Sequence, residues 1–287
     1  KKEKNMIFVS TGGIKDTTAY HTGLTFIEHG ITGIELSGGA YEEIILSKYQ
    51  KLLELASFQV HNYFPPPKNP FVFNLASVNH QIAEKSISLA KNAIKLSAAL
   101  QRPIYSFHAG FLLDPKVSEL GKRIDAPHIN DRNVCMELFL ERIANLAEYA
   151  SSNNVQLLIE NNVISDSNIK RFGEDPLLMT TPKEAKFIME NTPSNVNMLL
   201  DVAHLKVSAN SLGFDRYEMF RACDNWIKAY HFSDNDGKSD SNKSIGIDSW
   251  FWPYVKKNEN YYTLEIYNSD INELKEQINI TNEQLCS

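Results

Sequence analysis

Seven short apolar runs in this chain each carry, at or near their end, a side chain able to bind a metal or move a proton. They are Glu35 in GITGIEL, His61 in FQVH, His108 in PIYSFH, Glu160 in VQLLIE, Asp201 in VNMLLD, His231 in WIKAYH and Glu265 in YYTLE. From His61 onward these residues recur at intervals of 30 to 52 positions, with helix-like sequence between them. Buried strands that each finish in a polar residue, one helix apart, describe a (β/α)8 barrel whose site lies at the C-terminal face of the strands. A chain of 287 residues is long enough for one such barrel, which needs about 250.

The first strand falls in MIFVSTG, followed by a helix over 17–29. GIELSGG gives the second strand, and a helix over 41–56 shows an apolar face at helical spacing. FQVHNYF is strand three, and its loop PPPKNP can continue neither strand nor helix. The longest helical pattern covers 75–100, and Pro103 opens strand four. After His108 about twenty residues precede a helix over 131–152; long loops at this place build or cover a pocket. A second excursion, VISDSNIKRFGEDPLLMT, follows strand five and ends in a helix start, with Thr181 as N-cap, Pro182 at N1 and Glu184 at N3. VNMLLD, IKAYHFS and YYTLEI are strands six to eight, and a helix over 270–285 closes the ring. No linker, low-complexity tract or repeat beyond the βα unit interrupts this order, so residues 1–287 read as one barrel domain.

Glu160, Asp201, His231 and Glu265 end four consecutive strands, so a closed barrel brings them to one arc of the rim. Three carboxylates buried together without a cation would repel one another and lose solvation, at roughly several kcal/mol each. With one neutral imidazole they suit one divalent ion, Mn²⁺ first, with Mg²⁺, Co²⁺ or Zn²⁺ as alternatives. His61 and His108 end strands on the other arc and are expected to contact substrate or a second metal. His204, three residues past Asp201, has the reach for substrate or a second metal, while Glu35 anchors a loop or a neighbouring histidine. Aromatic residues crowd the rim: Phe64, Phe111, Phe172, Phe232, Trp250 and Trp252. Such rings stack on apolar sugar faces, and Trp252 is a substrate-binding candidate.

With 35 acidic and 29 basic residues the net charge is −6, which disfavours a wide grip on a phosphate backbone. Cys135, Cys223 and Cys286 lack CxxC spacing and read as free thiols of a reducing, cytoplasmic compartment. MIFV is too short for a signal segment, and no apolar stretch approaches membrane-spanning length, so no membrane partner is expected.

At HAGFLLDP, LLIENN, LLDVAH, AYHFSDNDG, SIG and TLEI the chain resembles the xylose isomerase-like TIM-barrel superfamily, from first strand to last. That group holds sugar isomerases and epimerases, inosose dehydratase-like lyases and the endonuclease IV family. Ketose 3-epimerases similar to D-tagatose 3-epimerase hold one metal by a Glu, Asp, His, Glu quartet, and Glu160, Asp201, His231 and Glu265 match it. The resemblance implies a small sugar substrate and a proton moved by Glu160 and Glu265 through an enediolate that the metal stabilises. It makes His61, His108 and His204 substrate-orienting residues, and pairing of two chains is common in the group. Where those enzymes carry an arginine after the ligand histidine, this chain has Gly237 and Lys238, so Lys238 becomes the candidate sugar contact. The endonuclease IV pattern of nine zinc ligands is matched by His61, His108, Glu160, Asp201, His204, His231, Asp240 and Glu265. Its ninth position reads Asn242, and the following Gly-x-Gly reads Gly246-Ile247-Asp248. Phosphodiester hydrolysis on DNA, or a sugar or inosose lyase, is therefore the alternative to a sugar isomerase or epimerase.

Overall fold

Eight parallel strands close into a barrel in chain order, each hydrogen-bonded to the next and the last to the first. They are β1 (Ile7–Ser10), β2 (Gly33–Leu36), β3 (Ser57–His61), β4 (Ile104–His108), β5 (Gln156–Glu160), β6 (Val196–Asp201), β7 (Ile227–Phe232) and β8 (Tyr261–Leu264). The computed structural model describes residues 6–14, 17–43, 46–119, 124–125 and 128–287. Around the barrel pack α1 (Ala19–Glu28), α2 (Leu46–Gln50), α3 (His80–Ala99), α4 (Arg132–Ser152), α5 (Asp166–Phe172), α6 (Pro182–Glu190), α7 (Val202–Leu212), α8 (Tyr217–Cys223) and α9 (Ile271–Cys286). Among the described residues no helix is long and apolar enough to cross a membrane.

The strands read as nearly unbroken apolar runs because both of their faces are buried. Residues of one parity, such as Val9, Ile34, Val60, Tyr105, Leu157, Leu200 and Tyr262, pack outward against the helices. Those of the other parity fill the barrel, where Phe8, Leu158, Leu199, Ala229 and Tyr261 form a separate apolar layer. Two residues further along the same strands, that parity delivers Ser10, Glu160, Asp201, His231 and Thr263. Strand register sets them level: Ser10 pairs with Glu35, His61 with Ser106, His108 with Glu160, Asp201 with His231, and His231 with Thr263. The polar layer thus sits directly on an apolar floor. Gly33 is obligatory for this closure, since a Cβ there would lie 2.0 Å from the Ile7 carbonyl oxygen.

Two expectations need correction. The helix over 75–100 begins only at His80, because the Leu75 and Ser77 carbonyls accept from Arg142 and Asn79 caps the helix through the N–H groups of Gln81 and Ile82. The helix over 41–56 contracts to Leu46–Gln50 and then runs into turns, with Leu52 N–H donating to Tyr49 and Leu55 N–H to Leu52; its positions 44 and 45 lie outside the described residues. The excursion after β5 holds a helix of its own, α5, stopped by Gly173 at φ 75°. Both long loops are tied to each other beside His108: Phe111 bridges Leu177, and the Asn162 amide donates to the Ala109, Gly110 and Leu178 carbonyls. Of the loop after His108, residues 120–123 and 126–127 lie outside the described residues, and with them part of the expected cover.

Candidate metal centre

The four strand-end residues meet. One ligand atom from each of Glu160, Asp201, His231 and Glu265 lies within 4.8 Å of the other three, and all four residues are buried. His231 Nδ1 is central, 3.3 Å from Glu160 Oε1, 3.6 Å from Glu265 Oε1 and 4.0 Å from Asp201 Oδ2. Among the described residues both carboxylate oxygens of Glu160, Asp201 Oδ2 and His231 Nδ1 have no hydrogen-bond partner although each is buried. Orphaned buried groups are rare and costly, and here three of them aim at one point. The donor set of carboxylate oxygens and one imidazole nitrogen fits a divalent ion of the Mn, Mg, Co and Zn group.

Two of the four ligands have their other atom committed elsewhere. Helix α7 starts directly after β6, and Asp201 is its N-cap: Oδ1 accepts from His204 N–H at 2.7 Å, which leaves Oδ2 for the ion. His231 Nε2 is 3.0 Å from Glu35 Oε2, which also accepts from Thr263 Oγ1 at 2.8 Å. A carboxylate behind a histidine fixes its ring and raises its basicity toward metal, so Glu35 anchors a histidine as the sequence suggested. Asn161 holds β5 to β6, donating to the Asp201 carbonyl and accepting from the Asp201 N–H.

Three further histidines surround Glu160. His61 Nε2 and His108 Nδ1 lie 3.3 and 3.4 Å from its Oε2, and His204 Nδ1 lies 3.5 Å from its Oε1. His61, His108 and Glu160 form a second donor group. His204 also faces Asp240 Oδ2 at 3.3 Å, on the loop after β7. That loop is held by the Lys206 ammonium on Asp234 and the Asn235 carbonyl, and by Asn210 on the Gly237 carbonyl. The side chains of His108 and Asp240 are 26% and 22% exposed while His61, Glu160 and His231 are sealed, so the mouth opens between those two.

Lys238 is not brought to the cluster: it is exposed, and its backbone N–H donates to Asp236. Trp252 packs edge-on against Phe232, a residue of outward parity, and its indole N–H donates to the Gly246 carbonyl. Phe64 and Phe232 are buried in the layer between strands and helices and do not line the rim. Several site residues had no sequence signal: Ser10, Thr263, Ser106 and Tyr261 are common residue types whose inward parity appears only once the strands are in register, and Asn161 is marked only by its bonds to the Asp201 backbone.

Without the ion, protons substitute for it. Burial opposes charge on His231, but Glu35, Glu265 and Glu160 outweigh it and hold the ring well above the usual histidine range; for His204, Asp201 and Asp240 do the same. Burial, with Glu160, Asp240 and Glu265 adding to it, pushes Asp201 up to about 7 against the pull of His204. Burial holds the His61 imidazole down at about 3 and lowers His108. A divalent ion needs the bare His231 Nδ1 and ionised Asp201, so binding must expel protons. Below the raised His231 value, affinity is expected to climb by about tenfold per pH unit for each proton displaced. Calorimetry in two buffers of different ionisation enthalpy reads that release directly, and an affinity flat between pH 5 and 8 would contradict it.

The sequence matches the family described as Xylose isomerase-like TIM barrel over residues 25–281. No curated protein matches the chain in sequence. Among solved structures, a D-tagatose 3-epimerase-like protein superposes with a TM-score of 0.69 at 17% identity, covering 98% of this chain and 97% of its own. D-psicose 3-epimerase with D-tagatose from Clostridium cellulolyticum gives 0.67 at 11% identity, over 98% and 99%. A Thermus thermophilus protein soaked with ZnCl2 gives 0.60 at 17% identity, over 94% and 98%. At such identities the likeness is one of fold.

Proposed function

This chain belongs to the xylose isomerase-like TIM-barrel family, and on that premise we propose that it is a metal-dependent isomerase or epimerase of a sugar or sugar derivative. The observation that supports this reading best is the set of orphaned ligand atoms on Glu160, Asp201 and His231, completed by Glu265. When bound, a divalent ion, Mn²⁺ first, supplies Lewis-acid polarisation of a substrate carbonyl and its neighbouring hydroxyl, which acidifies the C–H between them. Glu160 at the end of β5 and Glu265 just after β8 both face His231 Nδ1, at 3.3 and 3.6 Å. One takes the carbon-bound proton and the other returns it. Ser10 Oγ, 3.5 Å from Glu265 Oε1, steadies that carboxylate, and His61 steadies Glu160 from behind. His108 and His204, at the open side, orient hydroxyl groups.

A second reading, phosphodiester hydrolysis, draws on the donor group of His61, His108 and Glu160 and on the His204–Asp240 contact. Against it, Asn242 stands where a third metal would need an imidazole, and amides are poor zinc ligands. The test is a panel of free and phosphorylated ketoses and aldoses, incubated with Mn²⁺ or with chelator, beside an abasic-site DNA duplex. Metal-dependent interconversion of a sugar with no nicking is expected. Nicking that disappears in His204→Ala, with every sugar unchanged, would reverse the ranking.

A further inference from the structure

Beneath the metal centre, three buried polar side chains form a chain that ends on Glu160. Tyr261 OH lies 2.8 Å from Ser106 Oγ, Ser106 Oγ lies 2.9 Å from His61 Nδ1, and His61 Nε2 lies 3.3 Å from Glu160 Oε2. Tyr261, Ser106 and His61 are at most 1% exposed, so water does not complete their hydrogen bonding. Tyr261 rests in the apolar floor, edge-on to Phe8, and Ser106 Oγ is its hydroxyl's hydrogen-bond partner among the described residues.

We propose that Tyr261 and Ser106 form a buried relay that fixes His61 as its Nε2–H tautomer, making it a positioning residue for Glu160 and not a ligand of a second metal ion. The direction of the relay follows from counting protons. A buried phenol must place its proton on an acceptor, because an unmade bond to a buried donor is costly. Ser106 Oγ is the acceptor in reach, so Tyr261 donates to it. Ser106 then has one proton of its own, and His61 Nδ1 is the remaining partner, so Nδ1 accepts. A neutral ring whose Nδ1 accepts carries its proton on Nε2. The reverse order, His61 Nδ1–H to Ser106 to Tyr261, leaves the phenolic proton without a hydrogen-bond acceptor among the described residues. A doubly protonated ring strands the serine proton instead.

The consequence lies at Glu160. His61 makes no hydrogen bond to Glu160, but at 3.3 Å its Nε2 turns an N–H dipole, not a lone pair, toward Oε2, which favours this position of the carboxylate while Oε1 faces His231. The His61, His108 and Glu160 group then lacks one of its three lone pairs, and a second ion can enter only by reversing the relay.

Tautomers are read without turnover. In protein labelled with ¹⁵N-histidine, long-range ¹H–¹⁵N correlation distinguishes a protonated from a bare ring nitrogen, and the His61 signals are assigned by their loss in His61→Gln. Protonated Nε2 and bare Nδ1 are expected in metal-free and in zinc-loaded protein, with tight zinc binding complete at about one ion per chain. Tyr261→Phe removes the proton that drives the relay, and the Nδ1–H tautomer should rise from undetectable to a population comparable with the other. Ser106→Ala should release the same constraint and replaces that variant if it does not fold. A protonated Nδ1 in the parent protein, zinc on His61 Nε2 with a second tight equivalent, or a tautomer unmoved by both substitutions would overturn the proposal. The relay goes beyond the proposed activity: an Nε2–H ring in a protein that turns over no sugar would count against the sugar reading alone.

Discussion

Glu160→Gln is expected to lower turnover of any accepted sugar by about 10²–10⁴-fold, the usual contribution of a positioned acid or base. The amide keeps the volume of the carboxylate and removes its charge and one of its acceptor oxygens. It also breaks the network on both sides. His61 and His108 face Oε2, while His204 and His231 face Oε1, so an NH₂ at either position meets an imidazole nitrogen. Burial opposes the charge of Glu160, yet His108, His231 and His61 hold the carboxyl well below its usual range, so the group is ionised in the folded protein. Glu265→Gln should resemble it. Metal loss alone could lower turnover, so kcat must be measured at saturating Mn²⁺ with bound metal counted in the same samples. A full complement of metal with kcat within about tenfold of the parent would remove Glu160 from the chemistry.

Stripping the metal should destabilise the fold visibly. An ion present at 1,000 times its Kd stabilises the native state by about 4 kcal/mol if it does not bind the unfolded chain. For a chain of this size that corresponds to a fall in Tm of roughly 8–16 °C on chelation. The sign follows from the buried carboxylates, which in the metal-free protein depend on protons at His231 and His204 for neutralisation. Scanning calorimetry with Mn²⁺, with chelator, and with Mn²⁺ restored should show a reversible shift. Asp201→Ala should abolish the shift, since it removes a ligand and the α7 cap together. An equal Tm in all three conditions would contradict a tightly held structural ion.

The barrel was legible because each strand ends where burial ends. VQLLIE and VNMLLD are apolar up to the residue that reaches the polar layer, and the parallel sheet makes those ends coincide. Helix starts were legible where a cap is local, as at Thr181, which accepts from Glu184 N–H as expected. The start of α3 was not: Leu75 to Ser77 look helical, but Arg142 of α4 takes their carbonyls, and no local pattern reports a partner 65 or 67 residues away. The same limit hid the supporting layer. In YYTLEI all residues are buried, so nothing local says that Tyr261, Thr263 and Glu265 share the inner face while Tyr262 and Leu264 face helices. Glu35 was weakly legible for a related reason. Its importance lies in a contact with His231, 196 positions away. Rim aromatics misled because Phe232 follows His231 by one residue and therefore points the opposite way.

Hydrogen exchange during catalysis tests the central claim most directly. A ketose or aldose that the protein converts is run in D₂O with Mn²⁺, and the product is analysed by mass and by NMR at the carbon next to the carbonyl. If Glu160 and Glu265 move a proton at this centre, deuterium appears at that carbon at a rate tied to turnover, and Glu160→Gln with metal bound abolishes both. Conversion with the original hydrogen fully retained would contradict the account, because it requires a hydride shift in which the two glutamates serve only as ligands.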